Sequence, residues 1–170
     1  VARIPWVERG VGHDRLVTWH RKLAPYSLFL IGFHVLLVLL GYAGEEHVAL
    51  YKELWKLLTQ YPWMWWALVA LYFMIQAGVT SYKKARAKLS YETWWLIHTL
   101  TYLAIAFSLM HQIQNGPMFL NHPLNRAYWI ALYAFVFFSI AVWRVGIPVW
   151  KSLRHNLRVD RVVVEAPGVV

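Results

Sequence analysis

Residues 19–43 read WHRKLAPYSLFLIGFHVLLVLLGYA, and this stretch decides the architecture. From Leu23 to Gly44 there is no Lys, Arg, Asp or Glu. A helix of about 20 apolar residues matches the hydrocarbon core of a bilayer. Three more stretches share this character: residues 62–80, 93–113 and 127–150. The chain of 170 residues is 59% hydrophobic and only 15% charged, too little charge for an ordinary soluble domain. The sequence therefore predicts an all-α fold, a polytopic membrane helical bundle with four transmembrane helices in one domain. No span reads as a cleaved signal peptide, since no short apolar region followed by a small-residue cleavage site opens the chain.

The net charge of +9 is placed unevenly. Arg3, Arg9, Arg15, Arg21 and Lys22 precede the first span. Lys83, Lys84, Arg86 and Lys88 lie between the second and third. Arg144, Lys151, Arg154, Arg158 and Arg161 close the chain. These are 14 of the 17 basic residues, and only Lys52, Lys56 and Arg126 lie in the other two loops. The positive-inside rule then places both termini in the cytoplasm. The expected location is the cell membrane, multi-pass, with the basic flanks drawn to the anionic lipid of the bilayer. Charges that flank membrane spans argue for no nucleic acid among the partners.

Local signals set the element ends. Asp14 is an expected N-cap, and Pro25 an expected kink in the first span. Val48, Tyr51, Leu54, Trp55 and Leu58 recur at helical spacing, which predicts an amphipathic helix on the outer interface. Tyr61-Pro62 opens the second span. Ser90 is the expected N-cap of the third, with Glu92 favourable at the start of the helix. Asn115-Gly116-Pro117 and Asn121-His122-Pro123 are turn signals. Pro148 marks the expected end of the fourth span. The run Arg161-Val162-Val163-Val164-Glu165 reads as a first strand, so the chain reads as part of a longer protein. Most tryptophans fit interfacial belts: Trp6, Trp19, Trp94, Trp95, Trp143 and Trp150 inside, and Trp55, Trp63, Trp65 and Trp66 outside.

Ionisable residues inside a membrane are costly and usually functional. His20 and His34 belong to the first span, 14 residues apart, and His98 and His111 to the third, 13 apart. Fourteen residues rise about 21 Å and bring His34 to within about 40° of His20 around the axis. Ala24, Ser27 and Ile31 lie on or near the same stripe and leave room for a flat macrocycle. The first and third spans run in the same direction. His20 therefore pairs with His98 near the inner face, and His34 with His111 near the outer. Two imidazoles on one iron suit a haem that transfers electrons and leave no open position on the metal. Two haem b groups are expected, held without covalent attachment because the chain has no cysteine. Thirteen residues leave His98 and His111 about 140° apart on an ideal helix, so the helix must be tightened, tilted or offset. Arg21 and Arg86 are candidate partners for haem propionates. No catalytic residue is assigned. His13, His47, His122 and His155 lie in flanks or loops and are expected to be exposed. A haem-free membrane anchor whose histidines merely pack is the rival reading.

Asp14-Arg15-Leu16-x-x-Trp19-His20-Arg21, Tyr91-Glu92-x-Trp94-x-x-x-His98 and His111-Gln112, with the paired spacings of 14 and 13, resemble the ferric-reductase-like transmembrane domain family. This family includes NADPH oxidases and ferric reductases, and the likeness is to its bacterial, flavin-linked members. The resemblance covers nearly the whole chain. It implies His20 and His98 on one haem and His34 and His111 on the other, with residues 1–158 a di-haem transmembrane domain. It also implies that residues 159–170 begin a truncated FAD-binding β-domain, with FAD and NAD(P)H held on a C-terminal dehydrogenase domain beyond Val170. Helices would also precede Val1. Electrons would pass from cytoplasmic NAD(P)H and FAD to an extracytoplasmic acceptor: a metal, O2, a quinone or a protein. Superoxide-producing members carry a further histidine one turn beyond the outer ligand. Here that position is Val38, which favours an acceptor other than O2. The near alternative is a haem-binding membrane subunit that feeds a separate periplasmic reductase, drawing on quinol or a separate flavoprotein.

Overall fold

A computed structural model describes residues 4–155. The strand expected at 161–165 and the junction placed after residue 158 lie outside the described residues. A short helix α1 (Pro5–Val11) leads into α2 (His13–Glu45), then α3 (Leu50–Gln60), α4 (Met64–Ser81) and α5 (Lys83–Arg86). The third span is split into α6 (Tyr91–Thr99) and α7 (Thr101–Asn115). A turn of helix, α8 (Pro117–Leu120), leads to α9 (Pro123–Ile140), a π-helical segment Ala141–Gly146 and α10 (Ile147–His155). Four helical stretches are long and apolar enough to cross a membrane: His13–Glu45, Met64–Ser81, Tyr91–Asn115 and Pro123–His155. These are the four expected spans; the first, third and fourth extend further at both ends, and the second is shifted toward the C-terminus. Among the described residues there is no strand.

The ends follow local chemistry. Ser90 caps α6 as expected, its Oγ accepting from the Thr93 backbone N–H at 3.2 Å. The cap of α2 is Gly12, at φ +88°, and Asp14 sits in the first turn, where its charge suits the helix dipole. α4 begins at Met64, two residues later than the Tyr61-Pro62 signal, after Trp63 at φ +66°. Pro148 does not end the fourth span, which continues to His155. The proline follows directly on the π-helical segment, where the hydrogen-bond register has already changed and a missing donor is more easily accommodated.

Packing is tightest between α4 and α7. Ala70 and Ala77 on α4 and Ala104 on α7 are buried. Small residues let helices approach closely in a membrane. Trp66 packs on Phe107 with ring centroids 4.7 Å apart. Gly78 serves the α2 side of α4: a Cβ there would lie 2.5 Å from Leu28 Cδ1. The helix α3 is amphipathic, as its spacing predicts. Glu53, Leu57 and Leu58 are buried, while Tyr51 and Trp55 are exposed.

The split at Leu100 bears on the 13-residue spacing. The Leu100 N–H donates to the Ile97 carbonyl at 3.1 Å, a bond of the tighter 3₁₀ type. Such a turn advances about 120° per residue rather than 100°, which moves His111 toward the face of His98.

Candidate haem-binding site

The structure brings the four histidines together in two pairs. His20 of α2 faces His98 of α6, with ring centroids 5.9 Å apart and planes at 90°. His34 of α2 faces His111 of α7 at 6.5 Å and 56°. A metal–imidazole bond is about 2 Å. With about 1.1 Å more to each ring centre, imidazoles on opposite faces of one iron have centroids about 6.2 Å apart. The two observed separations bracket that value.

At the inner pair, His98 Nδ1 lies 3.3 Å from Ser81 Oγ at the end of α4. The Trp94 indole N–H donates to the same Oγ at 3.2 Å. Trp94 stacks on the His98 ring, centroids 5.0 Å apart and planes at 23°. The Arg86 guanidinium lies 4.9 Å from the Trp94 ring centroid and donates through Nη1 to the Leu89 carbonyl at 3.0 Å. Arg21 is exposed next to His20. The His98 carbonyl accepts from Thr101 Oγ1 at 2.7 Å, across the split between α6 and α7.

At the outer pair an apolar cavity of about 490 Å³ opens beside His34 and His111. That volume is in the range of organic cofactor sites. Val38, one turn beyond His34, lines it, as do Ala67 and Ala70 of α4. Its polar edge is a cluster on α7 and α9: Gln112 Nε2 donates to Tyr133 Oη at 3.0 Å, and Trp129 Nε1 donates to Gln112 Oε1 at 2.8 Å. Asn115 Nδ2 donates to the Pro62 carbonyl at 2.8 Å and lies 3.5 Å from His111 Nδ1. Paired imidazoles, a roomy apolar cavity and small residues fit a haem. Further out, Lys56 pairs with Glu46. This hydrogen bond holds the Lys56 ammonium above the ordinary lysine pKa. Both carboxylate oxygens of buried Glu53 lack a partner among the described residues.

Of the remaining histidines, His47, His122 and His155 are exposed. His13 is partly exposed and pairs with Glu8 at 3.0 Å. Sequence reasoning missed Ser81, Asn115 and Glu53, and gave Trp94 only an interfacial part. The i, i+4 spacing of Trp94 and His98 was a usable signal for their contact. Ser81 carries no signal of its own.

These features define a polytopic membrane protein with paired intramembrane histidines, one pair toward each end of the same two spans. The chain belongs to the family of the ferric reductase like transmembrane component, whose sequence model matches residues 1–109. The match takes in His20, His34 and His98 and stops two residues short of His111. The chain is also similar to the protein-methionine-sulfoxide reductase heme-binding subunit MsrQ of Caulobacter vibrioides, 23% identical over 140 residues. The alignment covers 82% of this chain and 60% of that relative's length. No solved structure matches the chain.

Proposed function

We propose that this chain is the haem-binding subunit of a membrane electron-transfer system that serves a separate reductase on the extracytoplasmic side. The observation that carries this reading is the pair of ring separations, 5.9 and 6.5 Å, both near the value for two imidazoles on one iron. His20 and His98 would hold an inner haem b, and His34 and His111 an outer one. Haem supplies a one-electron iron couple, and two of them about a 14-residue helix rise apart connect the faces of the bilayer. The family membership supports an oxidoreductase setting. The relative's name, a haem-binding subunit of a protein-methionine-sulfoxide reductase, supports a separate reductase over a fused flavin unit.

The protein's own residues hold and enclose. α4 packs on α7 through small residues and so keeps α7 in place, while α2 carries the opposing imidazoles. The cavity walls around His34 and His111 are largely apolar. We assign Arg21, directly after an inner ligand, to an inner propionate. Arg86, which already rests on Trp94, is assigned to the same face. The basic bias supports a cytoplasmic side for both termini and for this pair.

The test uses sealed vesicles of known orientation. An impermeant reductant on the cytoplasmic face should reduce an impermeant acceptor on the opposite face, and His34→Ala should stop the transfer. Unimpaired crossing in that variant would overturn the proposal. NAD(P)H alone should give no transfer until a flavoprotein is added. Transfer from NAD(P)H to a chain extended past Val170, without one, would restore the fused reading.

A further inference from the structure

We propose that Ser81 is a positioning residue for the inner site, its Oγ accepting a hydrogen bond from His98 Nδ1 and so fixing the tautomer that presents Nε2 to iron. This rests on the assignment of His98 as a haem ligand. A histidine that binds metal through one ring nitrogen usually donates the other N–H to an acceptor, which sets ring orientation and raises the basicity of the ligand. Ser81 Oγ, 3.3 Å from Nδ1, is placed to accept. The Trp94 indole N–H can only donate, so in its 3.2 Å bond the Ser81 oxygen is the acceptor. One lone pair of that oxygen is thereby committed, and the hydroxyl is held in place. The second lone pair is available to Nδ1–H.

The ring is fixed on its face as well. Trp94 stacks on His98, and Arg86, itself bound to the Leu89 carbonyl, lies over Trp94. The residues form one chain of contacts that ends on the imidazole. It joins α6 to α4, so the ring's position is set by a helix other than its own.

Among the described residues, the outer site lacks this arrangement. The polar atom near His111 Nδ1 is Asn115 Nδ2, at 3.5 Å. The Pro62 carbonyl is an acceptor and fixes the amide with Nδ2 toward it. Asn115 therefore offers His111 a donor, and no acceptor for Nδ1–H. A more basic axial ligand stabilises the ferric state. The inner haem should then have the lower potential of the two, and transfer from inner to outer runs downhill. Ser81 supplies part of that difference.

The full chain, purified with its haems, tests this by potentiometric titration and by electron paramagnetic resonance of the ferric state. His98→Ala identifies which signal is the inner one. In Ser81→Ala the inner potential should rise, its ferric signal should shift, and inner haem affinity should fall about tenfold. The outer haem should not move. Ser81→Thr, which keeps the hydroxyl, should restore wild-type values. Trp94→Phe keeps the stack and frees the hydroxyl, so it should move the inner signal alone. Wild-type potentials and signals in both Ser81→Ala and Trp94→Phe would overturn the inference, as would equal movement of both haems. Two haems retained in His98→Ala would instead overturn the ligand assignment beneath it.

Discussion

The inner and outer histidine pairs lie on the same helical stretches, yet their surroundings are built differently. At the inner pair His98 is reached by a hydroxyl from α4, an indole from its own helix and, through that indole, a guanidinium. At the outer pair His111 has one long contact to an amide, beside an apolar cavity of about 490 Å³. Polar contacts hold the inner ring, and shape surrounds the outer one. Identical ligand sets can thus be given different electronic character by the groups around them. For an electron carrier this matters, because direction across the membrane is set by a difference between two sites.

The largest effect should come from the ligands themselves. His20→Ala and His98→Ala should each remove the inner haem and leave the outer one. His34→Ala and His111→Ala should do the reverse. Haem-to-protein ratios and spectra of the four variants check this. If His20→Ala and His111→Ala depleted the same haem, the two-site comparison would collapse.

A smaller effect is expected at Gly78, where α4 admits Leu28 of α2. Gly78→Leu overfills this contact and should cost about 1–3 kcal/mol, read as a lower Tm. The inner haem should be lost more readily than the outer, because Gly78 lies three residues from Ser81 and well along α4 from the outer cavity wall at Ala67 and Ala70. Equal loss of both would mean that α2 moves as one rigid unit and would blur the distinction between the sites.

Much of this was legible in the sequence. Bilayer thickness imposes length and hydropathy so strictly that residues 23–43, 62–80, 93–113 and 127–150 announce their helices. The pairing of His20 with His98 and His34 with His111 followed from spacing and shared direction, and the structure sets those ring centroids 5.9 and 6.5 Å apart. What was hidden depends on contacts between helices. Ser81 meets His98 across 17 residues of chain, and hydropathy is blind to it. The amphipathic pattern of α3 was legible, but which of its residues meet the bundle was not. At an interface, aromatic rings are equally at home facing outward, and Glu53 took the buried position. Pro148 looked like a stop because the π-helical segment before it has no sequence signature. The tightened turn at Leu100, which brings His111 toward the face of His98, is a backbone detail of the same kind.

The central claim is that four histidines make two bis-imidazole haem sites in one membrane domain. Haem quantitation on the purified chain, with an absorption spectrum in both redox states, tests it most directly. The account predicts about two b-type haems per chain, both low-spin and six-coordinate. A chain that binds no haem, or one whose haem is high-spin and five-coordinate, would contradict it.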